Sequence, residues 1–506
     1  MHVHVSENDS TAGGDVETFD LIIVGSGSGN SIPGYLDDWK IAIVERGVYG
    51  GTCLNVGCIP SKMFVLPADA ALSAQHAGKL NIDAQYNGVD FPGLRDRVFG
   101  RIDAISASGR DYRATGSPNI TLFEGTARFD GERQLVVDMN DGGAPRRITA
   151  PKMLLAAGAR PVVPPIPGLM ETGFHTSDTI MRLPDLPPRL GIIGGGFIAV
   201  EMGHVFSALG SDVTLINRSE TLLRGFDVDI SARFTELFAE RVDLRMGHVP
   251  TKVERTEEGI VITNGGEQIV VDELLVATGR EPNTDVLDVR AGGIACHDRG
   301  TIVVDDTMAT NVEGVWAIGD IANSYQLKHL ANAEAAVAFW NIAHPDDIRR
   351  QSYKAVPGAV FSNPQVATVG WTEQDAAAEG IPFTVGRRDY AGTAYGWAIA
   401  DETSFAKVLV HDETGLIIGA HILGPQAASL IQPLIQAMQF DQTAEDVARQ
   451  VFYIHPALTE VVENALLEAL VEPDPDDDVE PASPEDVDPT APDAEMPPGH
   501  AQHDPD

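Results

Sequence analysis

Cys53 and Cys58 are separated by four intervening residues in the run Gly50-Gly51-Thr52-Cys53-Leu54-Asn55-Val56-Gly57-Cys58-Ile59-Pro60-Ser61-Lys62. A pair this close closes a small disulfide ring at little cost in loop entropy, so the chemistry expected is reversible thiol–disulfide exchange. Only Cys296 remains besides, and three cysteines cannot build a disulfide framework. Zinc would need two further ligands, and no second Cys pair or nearby His pair supplies them, so no metal site is expected. A structural bridge fits poorly with a cytosolic chain, where thiols are kept reduced. Lys62 places a positive charge near the pair, suited to stabilising a thiolate or a reduced flavin.

The elements that must position this pair alternate between strand and helix, the pattern of α/β domains. The apolar run Leu21–Val24 leads into Gly25-Ser26-Gly27-Ser28-Gly29-Asn30, and a second apolar run, Ile41–Val44, ends at Glu45. A strand, a glycine turn and a helix present backbone N–H groups to a pyrophosphate, Gly25 for the tight turn and Gly27 for close approach. The third position of the motif holds Asn30 in place of glycine. Glu45, 20 positions after Gly25, suits a ribose diol. Taken alone, this loop also reads as a plain turn.

The design recurs. Gly191-Ile192-Ile193 leads into Gly194-Gly195-Gly196-Phe197-Ile198-Ala199, then a helical stretch and the strand Val213–Ile216. An NAD site usually has an acid after that strand; here stand Asn217 and Arg218, then Arg224. Two guanidiniums suit the 2′-phosphate of NADP, so the coenzyme expected is NADPH. Their alternative role as solvated surface is weakened by the scarcity of basic residues. From Tyr353 the glycine-rich loops stop. Strands over Ala355–Phe361, Ala406–Val410 and Leu416–Ile422 are expected to alternate with helices over Ala427–Phe440, Ala444–Gln450 and Thr459–Leu470. Before the last helix, His455-Pro456-Ala457-Leu458-Thr459-Glu460 offers a proton carrier with a carboxylate to orient it.

The formal charge is −39, from 35 basic and 74 acidic side chains. Such a surface repels nucleic acid and anionic lipid. The stretch 471–506 holds 13 of the acids and no Lys or Arg, so the excess extends through the body as well. An acidic body poor in lysine fits a protein adapted to concentrated salt, where carboxylate repulsion is screened; an acidic protein of an ordinary cell is the alternative. The tail is rich in Pro and Asp and is expected to be disordered, as is 1–18. No apolar run is long enough to span a membrane, and the start lacks the basic and apolar regions of a secretory signal, so the cytoplasm is the expected location.

The run GGTCLNVGCIPSK resembles the active-site signature of the class I pyridine nucleotide–disulfide oxidoreductases, and the resemblance extends from about Phe19 to Leu470. It implies an α/β fold of glutathione reductase type, with two Rossmann-like dinucleotide-binding domains and a C-terminal α+β dimerisation domain. The implied boundaries are 19–160 and 283–352 for the FAD domain, 161–282 for the NAD(P) domain and 353–470 for dimerisation. It implies Cys53 as the interchange thiol, Cys58 as the charge-transfer thiol beside the flavin, and Lys62 near flavin N5, paired with Glu201. FAD is then expected at Gly25, Gly27, Glu45, Gly51, Thr52, Gly158 of Ala156-Ala157-Gly158, and Asp320 of Ala317-Ile318-Gly319-Asp320. NADP is expected at Gly194, Gly196, Phe197 as the nicotinamide lid, Arg218, Arg224, and Gly279 of Ala277-Thr278-Gly279-Arg280. His455 and Glu460 become an acid–base dyad lent by the partner subunit of a two-fold homodimer.

Within the family, mercuric reductases carry an extra C-terminal Cys pair that is absent here. Lipoamide dehydrogenases prefer NAD, which the arginine pair opposes. Glutathione reductases carry arginines after the first glycine loop, whereas Ser31–Trp39 has no basic residue. The segments CIPSKMFV, Arg97–Arg113, Phe174–Leu183 and Asp389–Glu402 are most similar to mycothione reductases. The acidic composition points instead to a halophilic archaeon, whose small thiol is γ-glutamylcysteine. The substrate expected is therefore bis-γ-glutamylcystine, with mycothione second. A flavoprotein subunit of a larger dehydrogenase complex is the reading from another class; the missing lipoyl-type domain and the NADP-like site argue against it.

Overall fold

The four residues Leu21–Val24 are all buried, as a parallel strand covered on both faces requires. They lie inside an eight-stranded sheet. Its strand order is Val16–Thr18, Arg146–Thr149, Gln134–Met139, Ile120–Phe129, Ile41–Glu45, Leu21–Val24, Lys152–Leu155 and Val315–Ala317. The pairing is parallel from Ile120–Phe129 through to Val315–Ala317. Its core joins Ile22, Val24, Ala42, Val44, Phe123, Met153 and Leu155.

This computed structural model describes residues 16–264 and 266–471. The N-terminal stretch to residue 15 and the acidic tail from residue 472, both expected to be disordered, lie outside the described residues. Residues 16–18 correct the expectation for 1–18: they form a strand parallel to Arg146–Thr149, fastened by a two-pronged Glu17–Arg146 ion pair.

The described residues divide into two compact units. The sheet above belongs to the first, made of residues up to Asn55, Asp103–Arg160 and Glu281–Gln351. The second unit comprises Val56–Ile102, Pro161–Arg280 and the described chain from Ser352. It holds a four-stranded parallel sheet in the order Asp243–Arg245, Asp212–Ile216, Arg189–Ile193, Glu273–Val276. A three-stranded antiparallel sheet, Pro250–Thr256, Gly259–Asn264 and Glu267–Val271, shares a core with it through Ile193, Val276, Val253 and Ile262. Helix Cys58–Gln75 packs against helix Phe197–Leu209, and Phe64, Phe91 and Phe206 form a chain of rings 5.8 and 5.9 Å apart. Emptying one such buried ring would cost about 3–5 kcal/mol.

The C-terminal part carries a five-stranded antiparallel sheet, Pro357–Val360, Val366–Gly370, Ile417–Leu423, Phe405–His411 and Phe383–Asp389, with helix Thr459–Ala469 packed on its last two strands. The fold is thus two dinucleotide-binding α/β parts and a C-terminal α+β part. Two local expectations are corrected. The helix over Ala427–Phe440 is two helices, Ala427–Leu430 and Gln432–Gln439, because Pro433 lacks the N–H an unbroken helix would need. The first glycine turn leads into short 3-10 turns, Ser28–Asn30 and Gly34–Leu36, in place of an α-helix, with Pro33 between them. Among the described residues no helix is long and apolar enough to cross a membrane.

Candidate active site

In the first unit, Gly25 follows the buried strand with φ +103°, and its N–H donates to the carbonyl of Val44 at 2.8 Å. A Cβ here would lie 2.3 Å from the carbonyl oxygen of Ala156, so only glycine fits. Gly51, with φ +73°, approaches Gly27 so closely that its own Cβ would stand 2.6 Å from the Gly27 Cα. Glu45 ends the neighbouring strand, and its carboxylate accepts from Ser26 N at 2.9 Å, Ser26 Oγ at 2.7 Å and Gly47 N at 2.8 Å. Ser26 Oγ in turn accepts from Gly50 N at 2.8 Å. One serine therefore ties the glycine turn, the carboxylate and the start of the cysteine segment together.

Three partners of this turn were not legible in the sequence. Asn30 Oδ1 accepts from Tyr49 Oη at 2.7 Å and Arg113 Nε at 2.9 Å, and the Arg113 guanidinium also reaches the Asn30 carbonyl at 3.2 Å. Burial pushes the Tyr49 hydroxyl up to about 12, so it stays protonated as a donor. Lys328 donates to Ser28 Oγ at 2.9 Å. Asp320 sits in the 3-10 turn Gly319–Ile321, held by Glu334, which accepts from Gly319 N at 2.7 Å. Gly158 has φ +64° and open space where a Cβ would point. Cys53 and Thr52 belong to the short helix Gly51–Asn55, fixed by Asn55, whose buried amide donates to the carbonyls of Val48, Tyr49 and Gly51.

In the second unit the same turn is rebuilt. Gly194 has φ +135°, donates to the carbonyl of Ile216 at 2.9 Å, and has no room for a Cβ, which would lie 2.2 Å from the Ala277 carbonyl oxygen. Gly196 caps helix Phe197–Leu209, with open space at its Cβ position, as at Gly279. Phe197 is exposed at the first helical position. Asn217 is buried, and its amide donates to the carbonyls of Ser219 and Thr221 at 3.2 and 3.0 Å. Arg218 and Arg224 are exposed on the loop it shapes, and the same loop carries Glu220 against Gly247.

Cys58 is exposed and opens helix Cys58–Gln75, with Gly57 as its N-cap. The unsatisfied N–H groups of a helix start favour a thiolate. One turn on, Lys62 Nζ lies 2.7 and 2.8 Å from the two oxygens of Glu201 and 4.7 Å above the Phe361 ring. Glu201 is only 4 % exposed, and its carboxylate also accepts from Phe361 N at 2.9 Å. A buried carboxylate with these partners fixes the ammonium in place.

At the other end of the chain, His455 Nδ1 and Glu460 Oε1 are 2.7 Å apart, and Glu460 Oε2 accepts from Ala457 N at 3.2 Å. The His455 side chain is 72 % exposed and Glu460 18 %. The hydrogen bond from His455 holds the Glu460 carboxyl below its ordinary range, so the charged acid orients the ring. Phe440, Val451, Phe452 and Ile454 are exposed in the same stretch of chain. Among the described residues no three His, Cys, Asp or Glu side chains gather as a metal site.

The two turns fit dinucleotides: narrow glycine cradles, open Cβ directions at Gly158, Gly196 and Gly279, and strand ends that present a carboxylate in one unit and arginines in the other. Residues 19–336 match the family model of the pyridine nucleotide-disulphide oxidoreductases, and 356–466 match the dimerisation domain of the same family. The chain is 44% identical over 466 residues to mycothione reductase of Mycobacterium tuberculosis, covering 89% of this chain and 99% of that one. It is 33% identical over 474 residues to dihydrolipoyl dehydrogenase of Haloferax volcanii, covering 90% and 98%. Among solved structures it is similar to a Cu(II) complex of the HOCl-induced flavoprotein disulfide reductase RclA from Escherichia coli. That match has a TM-score of 0.80 and 27% identity, covering 90% of this chain and 100% of the other. The chain belongs to the pyridine nucleotide-disulphide oxidoreductases: it is a flavoprotein disulfide reductase that uses FAD and NAD(P)H and carries the family's dimerisation domain.

Proposed function

We propose that this enzyme uses NADPH to reduce a low-molecular-weight thiol disulfide, bis-γ-glutamylcystine, to γ-glutamylcysteine, maintaining the thiol pool of a halophile's cytoplasm. Small-thiol reduction is supported by full-length similarity to a mycothione reductase. The choice of bis-γ-glutamylcystine is carried by one observation, the formal charge of −39. NADPH is supported by Arg218, next to Asn217 where an acid would otherwise receive the 2′-hydroxyl, and by Arg224 further along the same loop.

FAD, held by the Gly25–Gly27 turn, Glu45, Gly51, Thr52, Gly158 and Asp320, supplies the two-electron link between nicotinamide and disulfide when bound. Gly194, Gly196, Phe197, Arg218, Arg224 and Gly279 hold the coenzyme. Lys62, fastened by Glu201, keeps a positive charge beside the dithiol. With the pair reduced, the Cys53 thiolate attacks one sulfur of the substrate; a mixed disulfide forms and one thiolate leaves, taking a proton from His455 of the partner subunit. The Cys58 thiolate then attacks the Cys53 sulfur, the Cys53–Cys58 bond is restored, and the second substrate sulfur leaves as a thiolate that takes its proton from solvent. Glu460 orients His455 throughout. The exposed apolar residues flanking His455 support a shared interface there.

The test is turnover of bis-γ-glutamylcystine, mycothione and glutathione disulfide with NADPH in concentrated salt. The first should have the highest kcat/KM; a clear preference for mycothione, the reading that 44% identity favours, would overturn the substrate assignment.

A further inference from the structure

We infer that Lys407 is a positioning residue for coenzyme choice: together with Asp227 it pins the loop that carries Arg218 and Arg224. The inference rests on the NADPH reading above. Lys407 interrupts the apolar strand Phe405–His411 and is wholly buried, a place lysine takes only when paired. Its ammonium donates to Asp227 Oδ1 at 2.8 Å and Asp229 Oδ2 at 2.7 Å and is also paired with Glu373. Asp227, buried as well, caps helix Val228–Phe238 by accepting from Asp229 N, and its other oxygen accepts from Glu373 N at 3.0 Å. His421 Nε2 stands 3.9 Å from that oxygen but is engaged by the Trp371 carbonyl at 2.9 Å, while its Nδ1 meets Thr368 Oγ1 at 2.7 Å.

This cluster closes one end of the loop. Gln374 adds to it, donating to the Phe226 carbonyl at 2.9 Å and accepting from Val228 N at 3.1 Å. The middle of the loop is tied to the second glycine turn by Leu223 N donating to the Gly195 carbonyl at 2.9 Å, and Ser231 Oγ donates to the Leu223 carbonyl at 2.8 Å. The buried Asn217 amide holds the other end. Arg218 and Arg224 are thus exposed guanidiniums on a loop fastened at three points, so little ordering remains when a phosphate binds. Arg224 is three residues from Asp227 and depends most on the ion cluster. Neutralising Lys407 leaves Asp227 buried without its cation and releases that end.

The measurement is calorimetric binding of NADP+ and of 2′,5′-ADP to the FAD-loaded enzyme, with kcat/KM for NADPH and NADH alongside. Lys407→Met is expected to weaken both ligands about 10-fold and to lower the NADPH:NADH preference by a similar factor, with KM for the disulfide unchanged. Gln374→Ala removes only an exposed side chain's two bonds and should shift the same preference about 3-fold; it decides the matter if Lys407→Met does not fold. An unchanged preference in the folded variants, or equal losses with both coenzymes, would overturn the inference. A wild-type enzyme that prefers NADH would instead overturn the coenzyme reading on which it rests.

Discussion

Gly25 and Gly194 occupy equivalent places in two copies of one turn. Each comes after a buried parallel strand, each has positive φ, each donates to the last residues of the neighbouring strand, and each abuts a carbonyl that excludes a side chain. The supports of the two turns differ. The first turn is held by side chains: Glu45 on Ser26, Ser26 on Gly50, Tyr49 and Arg113 on Asn30. The second turn is held by regular structure, the 13-residue helix Phe197–Leu209, and by a loop pinned from the C-terminal sheet. On the proposed reading, a shared backbone geometry serves two nucleotides because the groups that follow the strands differ: a carboxylate that accepts and arginines that donate.

Replacing the glycines themselves should separate the two turns most sharply. Gly25→Ala should yield protein with little FAD, read from the flavin-to-protein absorbance ratio, since backbone strain of about 1–3 kcal/mol adds to the clash with Ala156. Gly194→Ala should keep its flavin and bind NADPH about 100-fold more weakly; loss of the same ligand in both variants would break the assignment. Next in size, the double substitution Arg218→Ala, Arg224→Ala should lower kcat/KM for NADPH about 30-fold and leave NADH within about 2-fold. Glu45→Gln keeps the shape and removes the charge, and should raise the FAD dissociation constant about 10-fold. The smallest effect, about 3-fold on the same constant, is expected for Arg113→Met, which leaves Asn30 to Tyr49; no change there would show that the Tyr49 bond suffices to hold Asn30.

Glycine spacing made both turns legible, because steric exclusion at a tight turn leaves few residue choices. Glu45 and Asn217 were legible through their distance from the glycines. The support was less so. Arg113 meets Asn30 across 83 residues, which no local pattern encodes. Lys407 does carry a local signal: a lysine set within an apolar strand needs an anionic partner, though nothing nearby says which one. The missing helix after the first turn also has its sign in Pro33, which lacks the N–H that a helix through this stretch would need. The thiol substrate stays the least legible, because composition speaks of the cell and the redox pair speaks only of sulfur chemistry.

The proposed cycle turns on Cys53 as the sulfur that meets the substrate. Its decisive check is anaerobic titration of the FAD-loaded Cys53→Ser enzyme with NADPH, followed by addition of bis-γ-glutamylcystine. Flavin absorbance should bleach and stay bleached, because the variant has no Cys53–Cys58 bond to take the electrons on, while no γ-glutamylcysteine forms; disulfide reduction at the wild-type rate would show that another sulfur does the work.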